Sequence, residues 1–284
     1  MSTHWILQTQ GEPLEAARRF LSALWSTAGS EAMLVPVRDS ATSGVAQHVV
    51  RQPSELAQAD PFAPVMLRNA ATEACRLAQQ EPGKPLAAVL HPCEVRALTE
   101  LSRRQPSGLG NLLVIGVDCL ATLPVEEYLR RARELGGVDA LTQEALQFAR
   151  QGGILLYRDR QACQMCLSPD PEGAAVILGA LGLPTLEALL VVARDQETSD
   201  RLRLREITDG EAPRDLAAGR EKMCQTLDDR RGRARTRITS ALKELPETVE
   251  ELVAVWMSCA PCEECLMACA LYAGELSLRG ATNA

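Results

Sequence analysis

The apolar positions at the start of the chain predict a strand, a helix and a second strand. Trp5-Ile6-Leu7 is a short apolar run typical of a strand. Pro13 to Ala28 carries apolar residues at the three- and four-residue spacing of an amphipathic helix, and Gly29 follows as its stop signal. Ala32 to Val37 is again continuously apolar and predicts a buried strand.

The next succession of elements predicts two parallel strands. Arg68 to Gln80 has a helical pattern and is followed by the turn Glu81-Pro-Gly-Lys-Pro85. Leu86 to Leu90 then predicts a strand, Glu94 to Arg104 a helix, and Leu112 to Val117 a second buried strand. Because such a crossover returns the chain to the same end of the sheet, the two strands are expected to be parallel.

The rest of the chain continues the alternation of helices and strands. The predicted elements are helices at Val125 to Leu135 and Thr142 to Gln151, a strand from Gly152 to Tyr157, a helix over residues 173–182, a strand over 186–193, and a charged helix over 213–243. The fold class expected from this pattern is α/β, with a parallel or mixed sheet flanked by helices.

Composition and charge narrow the range of functions. The 284 residues are 46% hydrophobic and 24% charged, which is typical of a globular protein. A net charge of −7 at pH 7 disfavours nucleic acid as a partner, because phosphate neutralisation requires surplus Lys and Arg. One local exception is the arginine run from Arg230 to Arg237. A solvated helix face is the preferred interpretation of this run, and docking of an acidic partner or an anionic cofactor is the alternative.

The N-terminus and the cysteines together predict a cytoplasmic protein. Residues 1–10 lack the basic start and apolar core of a signal peptide. The most apolar stretch, Ala174 to Ala193, is interrupted by Pro184 and Glu187, so no direct membrane span is expected. Ten cysteines without an export signal indicate a reducing compartment, where thiols are ligands or nucleophiles more often than disulfides.

The most specific motif lies near the C-terminus. Four cysteines there follow the spacing C-x2-C-x2-C-x3-C, namely Cys259, Cys262, Cys265 and Cys269. This spacing is that of bacterial ferredoxins, and it lets four thiolates bind different irons of one cubane. The alternative metal is zinc, which is usually bound by two C-x2-C pairs separated by about a dozen or more residues. The run therefore predicts a [4Fe–4S] cluster.

Four further cysteines are dispersed along the chain. Cys93 and Cys119 each follow a predicted parallel strand, and Cys163 and Cys166 form a local C-x2-C pair. Ligands of open α/β sheets lie at the carboxyl ends of parallel strands, so these thiols could meet at one cluster. Each also has another interpretation: Cys93 as a turn residue or a nucleophile activated by His91, Cys119 as a buried apolar residue, and the pair as half of a zinc knuckle.

Three motifs resemble a known family. Pro92-Cys-Glu-Val-Arg-Ala-Leu98, Gly116-Val-Asp-Cys119 and Cys163-x2-Cys166, in this order, resemble the beta subunits of coenzyme F-420 hydrogenases. Relatives of these subunits include formate dehydrogenase beta subunits and proteins that work beside heterodisulfide-reductase-like proteins. The resemblance covers roughly residues 60–270. It implies an α/β fold, one cluster held by Cys93, Cys119, Cys163 and Cys166, and, as in the best known members, a flavin that passes electrons to a deazaflavin.

The combined prediction is an iron–sulfur electron-transfer subunit of a larger oxidoreductase complex, relaying electrons between two [4Fe–4S] clusters. Residues 1–245 are expected to form the α/β domain with one cluster, and residues 246–284 a ferredoxin-like helical segment with the other. The expected partners are other redox subunits, including a ferredoxin-like or flavin-dependent protein. Two alternatives stay open: a subunit with FAD that acts on a deazaflavin or another soluble carrier, and a zinc-binding structural scaffold. Cys75 is expected to be a buried thiol. Cys269 is expected to be the fourth ligand of the C-terminal cluster, with Cys224 as the reserve candidate for that position.

Overall fold

One mixed sheet organises the chain. A computed structural model describes residues 2–39, 44–103, 109–153, 159–166 and 168–240, together with residues 248 and 250. Within these ranges the strands are β1 (Thr3–Gln8), β2 (Ala32–Asp39), β3 (Gly44–Val50), β4 (Leu86–Leu90), β5 (Leu112–Val117), β6 (Val176–Gly179) and β7 (Ala188–Ala193). They form a seven-stranded sheet with the spatial order β1-β7-β6-β5-β4-β2-β3. The central strands β2, β4, β5 and β6 are parallel, whereas β1, β7 and β3 pair in antiparallel register.

Helices cover both faces of this sheet. In the described ranges they are α1 (Pro13–Ala28), α2 (Ala71–Gln80), α3 (Pro92–Arg103), α4 (Val125–Leu135), α5 (Val138–Phe148), α6 (Gln161–Gln164), α7 (Gln196–Arg201), α8 (Leu204–Ile207) and α9 (Arg214–Ser240). Two short 3-10 helices, Pro53–Gln58 and Ala149–Gln151, complete the set.

The residues of β4 show how the two faces are filled. All five are buried, as in a strand that is covered on both sides. Ala87 and Val89 pack in a core with side chains of α1, α5 and α9, whereas Leu86, Ala88 and Leu90 pack with α2 and α3. Because successive strand residues point to opposite faces, this alternation produces three layers: helices, sheet and helices.

The α/β prediction is confirmed. α1, β4, β5 and α4 begin and end at the predicted residues, and β4 and β5 are parallel. α2 begins at Ala71 rather than Arg68, and α3 begins at Pro92 rather than Glu94. Of the strand predicted from Gly152 to Tyr157, Gly152 and Gly153 lie in the turn after a 3-10 helix rather than in a strand, and residues 154–157 lie outside the described residues. The ferredoxin-like segment predicted over residues 246–284 also lies outside them, except for residues 248 and 250.

The helix predicted over residues 173–182 is wrong. Val176–Gly179 is the strand β6, and it pairs with β5 on one side and β7 on the other. A short apolar run fits a buried strand as well as a helix, and the position between two strands decides for the strand. The antiparallel strand β3 was not predicted from the sequence, because the centre of Gly44–Val50 is too polar to indicate a buried strand. No helix within the described ranges is both long and apolar enough to cross a membrane.

Candidate metal centre

Cys93 is held in the first turn of α3, immediately after β4. Pro92 occupies the first residue of the helix, a position where its missing N–H is not needed. The buried carboxylate of Glu94 accepts the backbone N–H groups of His91 and Ala70, each at 2.8 Å. This cap fixes the start of α3 at the carboxyl edge of the sheet, and it places Cys93 there.

The surroundings of Cys93 do not resemble those of a nucleophilic cysteine. The Nδ1 atom of His91 lies 3.2 Å from a carboxylate oxygen of Glu94, so this ring nitrogen faces the carboxylate. Burial raises the pKa of the Cys93 thiol well above its ordinary value, and the negative charge of Glu94 raises it further. A catalytic thiolate requires the opposite shift in pKa.

Cys119 follows β5 at the same edge. It is two residues beyond Val117, and its backbone N–H donates to the carbonyl oxygen of Pro169 at 3.2 Å. The chain then turns at Ala121, which adopts a positive φ of 67°. This conformation is unusual for a residue with a side chain, and here the Ala121 backbone N–H lowers the pKa of the buried Cys119 thiol against the larger effect of burial. The loop after β5 is therefore shaped around this thiol.

The Cys163–Cys166 pair is fastened to the loop that follows β5. The N–H of Arg160, just before α6, donates to the carbonyl of Thr122 at 2.9 Å. The Thr122 hydroxyl lies 3.2 Å from the Cys163 sulfur. The guanidinium of Arg96, from α3, donates to the Cys166 sulfur at 3.3 Å and so links the pair to the first turns of α3.

The four dispersed thiols are close enough to influence one another's ionisation. Burial is the main cause of the raised pKa of Cys93, Cys119 and Cys163, and it raises that of Cys119 to about 12. The negative charge of neighbouring thiolates raises these pKa values further. The pKa of Cys93 is raised by the other three cysteines, that of Cys119 by Cys163 and Cys166, and that of Cys163 by Cys166. Three separate segments of the chain therefore bring their sulfurs within electrostatic range of one another at the carboxyl edge of β4 and β5.

The remaining cysteines divide into buried thiols and positions that are not described. Cys75 in α2 is 4% exposed, as predicted, and Cys224 in α9 is 9% exposed. Burial raises the pKa of Cys224 to about 12, with a further contribution from Asp118. Cys259, Cys262, Cys265 and Cys269 lie outside the described residues. Among the residues that are described, no group of three or more His, Cys, Asp or Glu side chains is placed to hold a metal ion.

The helix α9 crosses the carboxyl edge of the sheet beside these thiols. Its residue Leu216 packs against Leu190 on one face, whereas Leu227 belongs to the core on the other face, together with Val191. Because Leu190 and Val191 point to opposite faces of β7, α9 passes from one side of the sheet to the other.

A buried ion pair fixes α9 as it crosses the edge. The carboxylate of Asp118, next to Cys119, accepts the N–H groups of Ala180 and Leu181 at 2.8 and 3.0 Å. The same carboxylate receives the guanidinium of Arg220 at 2.6 Å, and Arg220 also reaches Asp170 at 2.6 Å. Through these contacts, Asp118 and Arg220 together connect the ends of β5 and β6, the loop after Cys166 and the helix α9. Arg220 was not singled out from the sequence.

A second arginine of α9 is buried on the same side of the helix. Arg220, Cys224, Leu227 and Arg231 are all buried and follow the helical spacing of four, three and four residues. Arg231 is 1% exposed, and its charge lowers the pKa of Cys119 against the larger effect of burial. Its Nε, Nη1 and Nη2 atoms have no hydrogen-bond partner in the described part of the chain.

The prediction that the arginine run forms a solvated helix face is wrong for Arg231. Arg233, Arg235 and Arg237 are exposed as expected. Counting from Arg220 at helical spacing would have placed Arg231 on the buried stripe, but the density of charge in the run concealed this period.

Replacing Gly116 with alanine is expected to destabilise the loop that carries Cys166. A Cβ atom at this position in β5 would lie 2.5 Å from Pro171 and 2.9 Å from Ala174, so the chain after the cysteine pair would have to move. Overpacking of this kind costs about 1–3 kcal/mol, measurable by urea unfolding. Gly110→Ala is the matched control, because its Cβ would meet no atom within 4 Å. Equal stabilities of the two variants would contradict the close packing of this loop.

Comparison with known proteins shows similarity of fold. No protein-family model and no curated protein matches the chain. Among solved structures, a chain of the F420-reducing [NiFe] hydrogenase complex from Methanosarcina barkeri is similar, with a TM-score of 0.54 and 11% sequence identity. The match covers 82% of this chain and 90% of that chain. At this identity the likeness concerns the fold.

Proposed function

We propose that this chain is an iron–sulfur electron-transfer subunit of a larger oxidoreductase complex, of the hydrogenase, formate dehydrogenase or heterodisulfide-reductase-like type. It relays electrons between two [4Fe–4S] clusters. The ligands of the first, which we call the dispersed cluster, are Cys93, Cys119, Cys163 and Cys166. The ligands of the second, the C-terminal cluster, are Cys259, Cys262, Cys265 and Cys269.

The proposal rests above all on the positions of four thiols that come from distant parts of the chain. Cys93 and Cys119 follow adjacent parallel strands, and the loop with Cys163 and Cys166 is hydrogen-bonded against the segment after β5. Mutual effects on pKa link all four sulfurs. Cysteine thiolates are the usual ligands of iron–sulfur clusters, and the carboxyl edge of an open α/β sheet is the usual place for a ligand.

A cluster and a single metal ion require different distances between their ligand sulfurs. Zinc–sulfur bonds are about 2.3 Å long, so the ligands of one zinc ion must lie nearly in contact. A cubane instead places each thiolate on a different iron, which keeps the ligand sulfurs farther apart. The electrostatic interaction among the four thiols is compatible with this wider arrangement.

Other groups around the thiols also fit an anionic cluster. The Thr122 hydroxyl and the Arg96 guanidinium are placed as hydrogen-bond donors to the sulfurs of Cys163 and Cys166. The buried guanidinium of Arg231 has no partner among the described residues, which is costly unless an anion is bound nearby. A bound cluster supplies one-electron chemistry. The residues around it set its hydrogen bonds, its exposure and the local charge.

The structural neighbour supports a role inside a redox complex. That protein is a chain of an F420-reducing [NiFe] hydrogenase complex, and the present chain shares its fold over most of both lengths. Partner subunits, among them a ferredoxin-like or flavin-dependent protein, belong to the proposal. The FAD implied by the family resemblance stays a prediction.

The iron content of the anaerobically purified chain tests this function. Two four-iron clusters predict about eight irons and eight acid-labile sulfides per chain, determined by colorimetric assay after purification without oxygen. Zinc in place of iron and sulfide would instead establish the structural scaffold. A value near four irons would remove one of the two clusters from the proposal.

A further inference from the structure

Arg231 is the largest fully buried side chain of the described residues, and it is a cation. It lies on the buried stripe of α9, two turns after the buried thiol Cys224. None of its three guanidinium nitrogens has a hydrogen-bond partner within the described ranges. Proteins very seldom bury a charge in this way, because the lost hydration is not replaced.

The neighbouring carboxyl groups do not neutralise this charge. Asp159 and Asp228 both interact electrostatically with Arg231, but neither is hydrogen-bonded to it. Burial raises the pKa of both carboxyls, and that of Asp159 reaches about 7. Burial therefore works against the ionised form of each group, and neither is bonded in place as the counter-ion of Arg231.

The anion that Arg231 lacks belongs on the side of Cys119. α9 packs against α6, the short helix that contains Cys163, and the residue before α6, Arg160, is hydrogen-bonded to the loop that follows Cys119. Of the dispersed thiols, Cys119 is the most deeply buried, so a cluster bound there would be shielded from water on this side. A cubane with four thiolate ligands is negatively charged in both oxidation states, and taking up one electron from a one-electron donor makes it more negative.

We propose that Arg231 is the counter-cation of the dispersed cluster and that its buried charge raises the reduction potential of that cluster. This rests on the proposed function. Reduction adds negative charge, so a fixed cation in a poorly hydrated site favours the reduced state more than the oxidised one. Arg231 binds no iron and donates no electron. It acts on the cluster through its charge alone.

The test compares Arg231→Met with Arg231→Lys and with Arg233→Met. Methionine keeps most of the buried volume without the charge, lysine restores a charge, and Arg233 is an exposed arginine of the same helix. Each full-length protein is titrated anaerobically with dithionite while the paramagnetic signal that Cys93→Ser abolishes is recorded. Arg231→Met is expected to disfavour reduction about tenfold, which for a one-electron couple is a shift of about −59 mV. The lysine variant should recover most of this shift, and Arg233→Met should match the wild type.

A second measurement tests the proposal if the Arg231→Met variant does not retain its cluster. Thermal unfolding of the chelator-treated full-length proteins should then show a higher melting temperature for Arg231→Met than for the wild type, because an unpaired buried charge has been removed. Arg233→Met should show no such gain. An unchanged potential in the loaded methionine variant, or no gain in melting temperature when the cluster is absent, would overturn the role of Arg231. A wild-type chain that contains no iron would overturn the proposed function itself.

Discussion

Replacing Cys119 with serine is expected to remove about half of the iron of the chain, roughly four of eight atoms. Cys119 is buried at the end of β5, and the loops around it are fixed by backbone hydrogen bonds, so no other cysteine of the α/β domain can move into its place. A buried serine hydroxyl is a much weaker ligand than a thiolate. Iron and sulfide assays of the anaerobically purified variant measure the loss.

Cys75→Ser is the matched control for this experiment. Cys75 is also buried, but it lies in α2, in the core that includes Leu77 and Val95. This variant is expected to keep the full iron content. If Cys119→Ser retained about eight irons, or if Cys75→Ser lost as many as Cys119→Ser, the assignment of Cys119 as a ligand would be wrong.

Replacing Arg220 with methionine is expected to destabilise the protein by about 3–5 kcal/mol. The carboxylate of Asp118 is fully buried, and it would lose the guanidinium that now lies 2.6 Å away. Asp170, the second partner of Arg220, would lose its ion pair as well. The free energy of unfolding, obtained from urea denaturation of the loaded protein, measures the effect.

Two further variants distinguish the effect of breaking the buried ion pair from the effect of replacing any arginine. Adding Asp118→Asn to Arg220→Met should destabilise less than the sum of the two single changes, because no buried carboxylate is then left unpaired. Arg194→Met removes an exposed ion pair with Asp195 and should change stability by about 1 kcal/mol or less. Additive effects at Asp118 and Arg220 would show that the pair does not hold α9 at the sheet edge.

The sequence predicted those elements whose local pattern agrees with their tertiary environment. α1 combines an amphipathic period with a Pro start and a Gly29 stop, and both of its ends were predicted correctly. β4 and β5 are continuous apolar runs with turn residues on either side. By contrast, Val176–Gly179 has a composition that also fits a helix, and only its place between β5 and β7 makes it a strand.

The candidate site shows a similar limit. Cysteine spacing and the order of strands were sufficient to predict that Cys93 and Cys119 lie at the same edge. They could not predict the groups that surround the sulfurs, because tertiary packing alone brings Arg96 to Cys166, Thr122 to Cys163 and Arg231 into a buried position. Arginine runs on a helix are usually solvated, and only the position of α9 across the sheet edge buries Arg231.

The dispersed cluster is tested most directly by paramagnetic resonance of the dithionite-reduced chain. If Cys93 and Cys163 bind the same cubane, Cys93→Ser and Cys163→Ser must each abolish the same signal, although 70 positions separate the two residues. Both variants must keep the signal that depends on Cys262. Loss of two different signals, or an unchanged iron content in both variants, would contradict the existence of a cluster at the carboxyl edge of β4 and β5.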